Sequence, residues 1–563
     1  MKKLLKNGSV INVFTGEIEK AGVLIYGEII VGVGDYTDDE ADVIEDVGGK
    51  YICPGFIDSH IHIESSFLTP YEFARVCVPC GTTTVVADAH EIANVCGKDG
   101  IRYMLEASKD IPLNMYSVIP SCVPATGFDE AGARLDAEDI EEFYSNPRVI
   151  GLGEVMNYVG VIYNDESVLK KVNGAIRNNM AVNGHAPLLS GKALDKYVSA
   201  GIRDDHEAAS FAEAAEKIRK GQRIMIRQGT AAKNLEALLP LLDEPWASRC
   251  LFAADDKHPA DIINNGHIDE MIRIAARNGK NPVSAIKIAT LNAAEYYNFR
   301  DLGAIAPSYR ADIVVFEDLE NLRVCDVYKN GEKVVNDGRM IGFEVPSISP
   351  ELDKAVRNSF NMNELSESDF HINEEGKKKC RVIKLIQDQL LTEEWITEID
   401  FSVNNGIDIS RDILKIAVIE RHNNTGHIGL GLVHGVSMEF GAIAASVSHD
   451  SHNLIVIGTN EKDMTVAANQ VRALGGGMVS VINGSVLQQM PLPIAGIMTD
   501  ADAQTAAQQN KAVRRSVLEL GITDIEAPFM TMAFVSLPVI PHLKLTTNGL
   551  IDVDKFELVP LVV

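Results

Sequence analysis

Apolar and polar positions fall into three textures along the chain. Residues 1–50 carry short apolar runs, LLKNGSVINV, GVLIYGEIIVGVG and ADVIED, broken by Asn-Gly and Tyr-Gly-Glu turn signals. Such runs between turn residues predict strands. The texture returns at ADIVVFED (311–318) and VCDVYKNGEKVVNDGR (324–339). Two β-rich flanks around a long middle predict one composite β-sandwich domain, 1–50 together with 301–345.

The middle, 51–300, alternates apolar runs with helical stretches. Eight strand candidates stand out: YICPGFIDSH (51–60), TTTVVADAH (82–90), PLNMYSVIP (112–120), VIGLGEV (149–155), MAVNGH (180–185), GIRDDH (201–206), RIMIRQG (223–229) and RCLFAAD (249–255). Helical segments separate most of them. Eight such units in about 250 residues match a (β/α)8 barrel, with a doubly wound open sheet as the alternative. Residues 346–385 are polar and charged, and predict a linker. Residues 386–563 mix Gly-rich stretches (NNTGHIGLGLVHG, RALGGGMVS) with the strand LIVIGT and the helix DMTVAANQVRAL, which predicts a C-terminal α/β domain. The fold class expected is therefore α/β.

Composition narrows the partners. With 46% hydrophobic and 23% charged residues, the 563-residue chain has an ordinary globular make-up, which excludes wholesale disorder and a fibrous repeat. Its 52 Lys and Arg against 79 Asp and Glu give a net charge of −27. That field repels phosphate backbones and anionic lipid, so neither nucleic acid nor a membrane surface is an expected partner. The N-terminus, MKKLLKNGSVINVFTGE, lacks the apolar core of a signal peptide, and no run of about 18 apolar residues exists. The eight cysteines are scattered, and Cys77-Val-Pro-Cys80 stands outside a thioredoxin-like context. These features predict a soluble, reduced, cytoplasmic protein.

His60-Ile61-His62 follows a predicted strand, whose period of two turns both imidazoles to one side. Two imidazoles so placed can share one divalent ion. Other strand candidates end in ligand types as well: Glu154 in VIGLGEV, His185 in AVNGH, His206 in GIRDDH, and Asp255 with Asp256 after CLFAA. Catalytic groups gather at the C-terminal ends of barrel strands, so five agreeing strand ends point to a metal site. Each of them alone would read as a turn carboxylate or a helix cap.

PGFIDSHIHIESS, GTTTVVADAHEIANV, PSCVPATG, GLGEVMN, NGHAPLLSG, DDHE, DDKHP and GAIAPSYRADIVV together resemble the adenine deaminase family of the amidohydrolase superfamily. SVSHDSHNLIVIGT and PLPIAGIMTD resemble the extra C-terminal domain of that family, so the likeness covers nearly the whole chain. It implies hydrolysis of adenine to hypoxanthine and ammonia in purine salvage, with a divalent metal, typically Mn²⁺ in a binuclear site, Fe²⁺ or Zn²⁺ being alternatives. It implies His60 and His62 on the more buried ion, and His185 and His206 on a second. Glu154 would bridge them, where many superfamily members carry a carbamylated lysine. Asp255 would bind the first ion and shuttle a proton from the attacking water. A divalent ion lowers the pKa of water toward neutrality, which supplies hydroxide for attack at C6 of adenine. The donor set has no thiolate and suits Mn²⁺, Fe²⁺ or Zn²⁺. A homodimer is implied as well.

Asp256 is a candidate acceptor for a purine N–H, or else a carboxylate fixing Lys257 or His258. His90 and Glu91 face substrate, support the ligands or form an additional metal site. The seventh strand end, REGS in the family, is Arg227-Gln228-Gly229-Thr230 here; Gln228 puts a neutral amide where the family has a carboxylate, which bears on rate or base preference if that carboxylate contacts substrate or moves a proton. DGHAP becomes Asn183-Gly184-His185, and ADPHE becomes Ala87-Asp88-Ala89-His90-Glu91, with ligand types retained. His449-Asp450-Ser451-His452 is read as a second metal site, a lid over the barrel mouth or a plain polar turn. Gly475-Gly476-Gly477 has no following GKS or GKT, so it is no phosphate loop. The rival functions are hydrolysis of a cyclic amide and a catalytically inactive metal-bound relative.

Overall fold

The computed structural model describes residues 1–563 other than 129, 387–390, 524 and 526. Strands from both flanks form one nine-stranded sheet. Its seam is Tyr51–Pro54, which runs parallel to Lys2–Ile11 and antiparallel to Ile313–Phe316. Ile52 and Cys53 are buried there. This corrects one expectation: the run YICPGFIDSH is two strands of two different sheets, parted at Gly55. Tyr51–Pro54 belongs to the flank sheet, and the barrel begins at Phe56–Ile61.

Parallel strands follow in order: Phe56–Ile61, Thr82–Asp88, Asn114–Ile119, Val149–Val155 and Ala181–Gly184 in one ladder, then Asp204–Asp205, Arg223–Arg227 and Cys250–Ala253 in a second. The two ladders close on each other. On one side Asp255 N–H donates to His60 O (3.0 Å) and His62 N–H to Asp255 O (3.2 Å). On the other, Gly184 N–H donates to Asp204 Oδ1 (2.7 Å) and Asn183 Nδ2 to Asp204 Oδ2 (2.6 Å). The open-sheet alternative fails because the first and last strands meet. Val86, Met225, Leu251 and Ala253 share the faces that carry Asp88, Arg227 and Asp255 and cluster with Val118 inside the barrel, while Ile224, Ile226 and Phe252 pack outward against the helices.

The C-terminal part holds an eight-stranded sheet, in which Glu461–Leu474 packs Met464, Ala467 and Val471 against Ala417, Ile419 and Val456. That helix begins on Asn460, whose side chain accepts from Asp463 N–H, and ends on Gly475 at φ 71°, the left-handed cap that glycine favours. The triple glycine thus ends a helix and starts a strand.

The expected linker is ordered structure. Pro350–Arg357 is a helix, and Val356 and Phe370 are fully buried. Lys377–Leu385 pairs with Thr392–Asp400 as part of the C-terminal sheet. The tail lies across the C-terminal end of the barrel: Thr499 N–H donates to Phe67 O (2.8 Å) and Ala503 N–H to Glu72 Oε2 (3.2 Å). Among the described residues, no helix is long and apolar enough to cross a membrane.

Candidate active site

Glu154 sits at the centre of the barrel mouth. Its Oε2 lies 2.7 Å from His185 Nδ1 and 2.9 Å from His206 Nε2; its Oε1 lies 3.2 Å from His90 Nδ1 and 3.5 Å from His62 Nε2. Its backbone is fixed by Asp88, whose Oδ2 accepts Glu154 N–H (2.9 Å). Gly153 makes this approach possible, since a Cβ there would stand 2.2 Å from Asp88 Oδ2. Burial opposes ionisation of Glu154, but the surrounding histidines, His185 first, hold its pKa well below the ordinary carboxylate value.

Asp255 faces it across the mouth. Its Oδ1 is 3.3 Å from His62 Nε2 and 3.5 Å from His60 Nε2. Its φ of 59° is rare for a residue with a side chain, and the two backbone bonds to the first barrel strand hold it there. Arg227 Nη1 donates to Asp255 Oδ2 (2.8 Å) and to Glu207 Oε1 (2.5 Å), and Nη2 to Glu207 Oε2 (3.1 Å). Against the cost of burial, Arg227 and then His60 and His62 keep Asp255 ionised.

The histidines are oriented from behind. His62 Nδ1 lies 2.9 Å from Asp88 O. A carbonyl only accepts, so Nδ1 carries the proton and Nε2 turns a lone pair inward. His185 N–H donates to Tyr197 Oη (2.9 Å), and Tyr197 donates to Val155 O (2.9 Å). Asp205, just before His206, accepts from the buried Lys217 (2.8 Å) and from Ala186 N–H (2.9 Å). His60 is fully buried, and neither of its ring nitrogens has a hydrogen-bond partner among the described residues; His206 Nδ1 has none either. Buried polar atoms are rarely left so. His60, Glu154 and His206 bring ligand atoms within 4.8 Å of one another, as do His60, His62 and Asp255. Nitrogen and oxygen donors in this number fit one or two divalent first-row ions.

Residues 51–334 match the model of the amidohydrolase family, and 389–557 match that of the adenine deaminase C-terminal domain. The chain is 45% identical to adenine deaminase 2 of Carboxydothermus hydrogenoformans, over 99% of its own length and 96% of that protein. It is 45% identical to an adenine deaminase of Desulfatibacillum aliphaticivorans (99% and 96% covered) and 43% identical to one of Clostridium acetobutylicum (98% and 96%). The chain belongs to the adenine deaminase family.

In this adenine deaminase family member, the remaining predicted residues separate into two groups. Asp256, His90 and Glu91 come to the mouth. Ser65 Oγ lies 2.5 Å from Asp256 Oδ1 and 2.6 Å from Glu91 Oε1. One hydroxyl proton cannot serve both carboxylates. Burial raises the Glu91 pKa, against the opposing pull of His449. His90 Nε2 lies 3.8 Å from Asp450 Oδ1. Burial and His62 push the His90 pKa down, while Glu154 and Asp450 pull it up to about 10. Gln228 follows Arg227 on the seventh strand, and its contacts are backbone ones, N–H to Ala253 O (3.2 Å) and O from Lys257 Nζ (3.3 Å).

The loop 449–452 sits on this mouth. His452 Nδ1 accepts Ser448 N–H (3.3 Å), so its Nε2 carries the proton and points at Glu91 Oε2, 3.6 Å away. That separation is too long for a hydrogen bond, and both atoms are without a hydrogen-bond partner among the described residues. Glu91, His449 and His452 bring ligand atoms within 4.8 Å of one another, so the HDSH cluster adds ligand types to the mouth. Burial raises the thiol pKa of both Cys77 and Cys80 well above the ordinary value, which works against thiolate chemistry. Three site residues had no role in the sequence expectations: Asp88, Glu207 and Arg227. Glu207 and Arg227 stand inside quoted motifs, DDHE and RQGT, but nothing in the spacing says that they pair.

Proposed function

We propose that this chain hydrolyses adenine to hypoxanthine and ammonia, in purine salvage. The observation that carries it is Glu154: an ionised carboxylate among four imidazoles at the end of the fourth barrel strand, in a chain of the adenine deaminase family. His60, His62, Glu154, His185, His206 and Asp255 would hold the metal, Mn²⁺ before Fe²⁺ or Zn²⁺, as two ions. Such ions supply Lewis acidity and lower the pKa of water. Asp255 accepts the proton of the attacking water and returns it to the departing amine. Arg227 keeps Asp255 ionised and aimed. Asp256, bridged to Glu91 through Ser65, accepts a purine N–H. Gln228, on the seventh strand beside Arg227, would contribute a neutral amide to substrate binding. The surrounding carboxylates are compensated by imidazoles and Arg227, so the site suits a neutral base.

The same reading gives a homodimer in the cytoplasm, with a composite β domain, a barrel and a C-terminal domain as its parts. The test compares Mn²⁺-loaded with chelator-stripped protein. The loaded protein should convert adenine to hypoxanthine by its ultraviolet spectrum, with one ammonia per turnover. An unchanged adenine spectrum, or faster opening of a dihydropyrimidine ring, refutes the assignment.

A further inference from the structure

The two oxygens of Glu154 divide the candidate ligands into two sets. Oε1 stands on the side of His62, which groups with His60 and Asp255, so that set has four protein donors. Oε2 stands 2.7 Å from His185 Nδ1 and 2.9 Å from His206 Nε2, and those two nitrogens are 3.3 Å apart. This second set has only three donors. A further carboxylate oxygen closes it: Glu207 Oε1 lies 3.6 Å from His185 Nδ1 and 3.5 Å from His206 Nε2. Donors about 2.0–2.2 Å from one ion stand about 2.8–3.6 Å apart, at cis-octahedral or tetrahedral angles. The separations here run from 2.7 to 3.6 Å and follow that range.

Glu207 is aimed by its own turn. Its N–H and that of Ala208 donate to Asp205 Oδ2 (3.1 and 3.0 Å), and the buried Lys217 donates to the same oxygen (2.8 Å). Arg227 holds the carboxylate by both oxygens. Facing a guanidinium, the group is ionised, and an ionised carboxylate oxygen has a lone pair left for a second partner. His185 and Glu207 are the most exposed side chains of the cluster, 15% and 16%, so this end is the one that water reaches. Mn²⁺ favours octahedral sites, so four protein donors leave room for water.

We propose that Glu207 is the fourth protein ligand of the ion on His185 and His206, with Arg227 as the strut that ties it to Asp255 on the other ion. This rests on the two-ion reading above. Glu207→Gln keeps the volume and a carbonyl that accepts from Arg227, and it leaves Arg227 paired with Asp255. It therefore removes the anionic donor alone. Metal-stripped protein is titrated with Mn²⁺, and the free ion is read by electron paramagnetic resonance. The wild type should take up two ions per chain. Glu207→Gln should bind one of them at least tenfold more weakly and the other within threefold of the wild type, and its metal-stripped form should unfold at the wild-type temperature. Should the glutamine variant unfold early, Glu207→Asp carries the same test, since it keeps the charge and draws the oxygen back by one methylene. Unchanged affinities, or an equal loss at both ions, mean that Glu207 only braces Arg227; the proposal then falls while adenine turnover stands. A wild type that takes up a single ion overturns the two-ion reading and the proposal together.

Discussion

Placing a methyl group at Gly153 tests how the site is built. An alanine Cβ would lie 2.2 Å from Asp88 Oδ2, 2.7 Å from its Cγ and 2.8 Å from Oδ1. Asp88 is fully buried and holds Glu154 N–H, so it cannot step aside freely. Overpacking a core costs about 1–3 kcal/mol. If Asp88 swings away instead, an unmade buried bond adds about 1–3 kcal/mol. Alanine gains about 0.5–1 kcal/mol over glycine in a strand, which is too little to offset either cost. Gly153→Ala should therefore lose about 1–5 kcal/mol in urea unfolding, and Glu154 should shift enough to lower the bound metal per chain. The double variant with Asp88→Ala removes the clashing carboxylate, so its loss should be at least about 1 kcal/mol smaller than the sum of the two single losses. A strictly additive double variant, or Gly153→Ala with wild-type stability and metal content, would refute the reasoning.

Two further predictions concern groups on either side of the cluster. Arg227→Met strands Asp255 and Glu207 as unpaired buried carboxylates; breaking such a pairing costs about 3–5 kcal/mol, and turnover should drop at least about a hundredfold as Asp255 loses its aim. Denaturation and steady-state rates check both, and wild-type values in either would count against the assigned role. His422 donates from Nε2 to Ser451 O (2.7 Å) and so holds the loop over the mouth. Burial, then Arg421, holds its pKa well below 6.5, so below that pH the unfolded chain binds a proton that the folded chain does not. Stability should fall as the pH drops through 6.5, by up to about 1.4 kcal/mol per pH unit for this group. His422→Gln keeps a donor without the titration, so its profile between pH 7 and 5 should be flatter by that slope; superimposable profiles would sink the idea.

The barrel was readable because five of its strand ends carry residue types that do chemistry, and the fold brings His60, His62, Glu154, His185, His206 and Asp255 to one mouth. The same logic failed where one apolar run served two sheets: nothing but Gly55 separates Tyr51–Pro54 from Phe56–Ile61. The strand Lys377–Leu385 opens on three lysines, which hide the inward Cys380 and Val382 in a stretch that otherwise reads as solvated connector. Pairings across the barrel were also illegible. Arg227 lies 28 residues from Asp255 and 20 from Glu207, and only the closed ring brings them together.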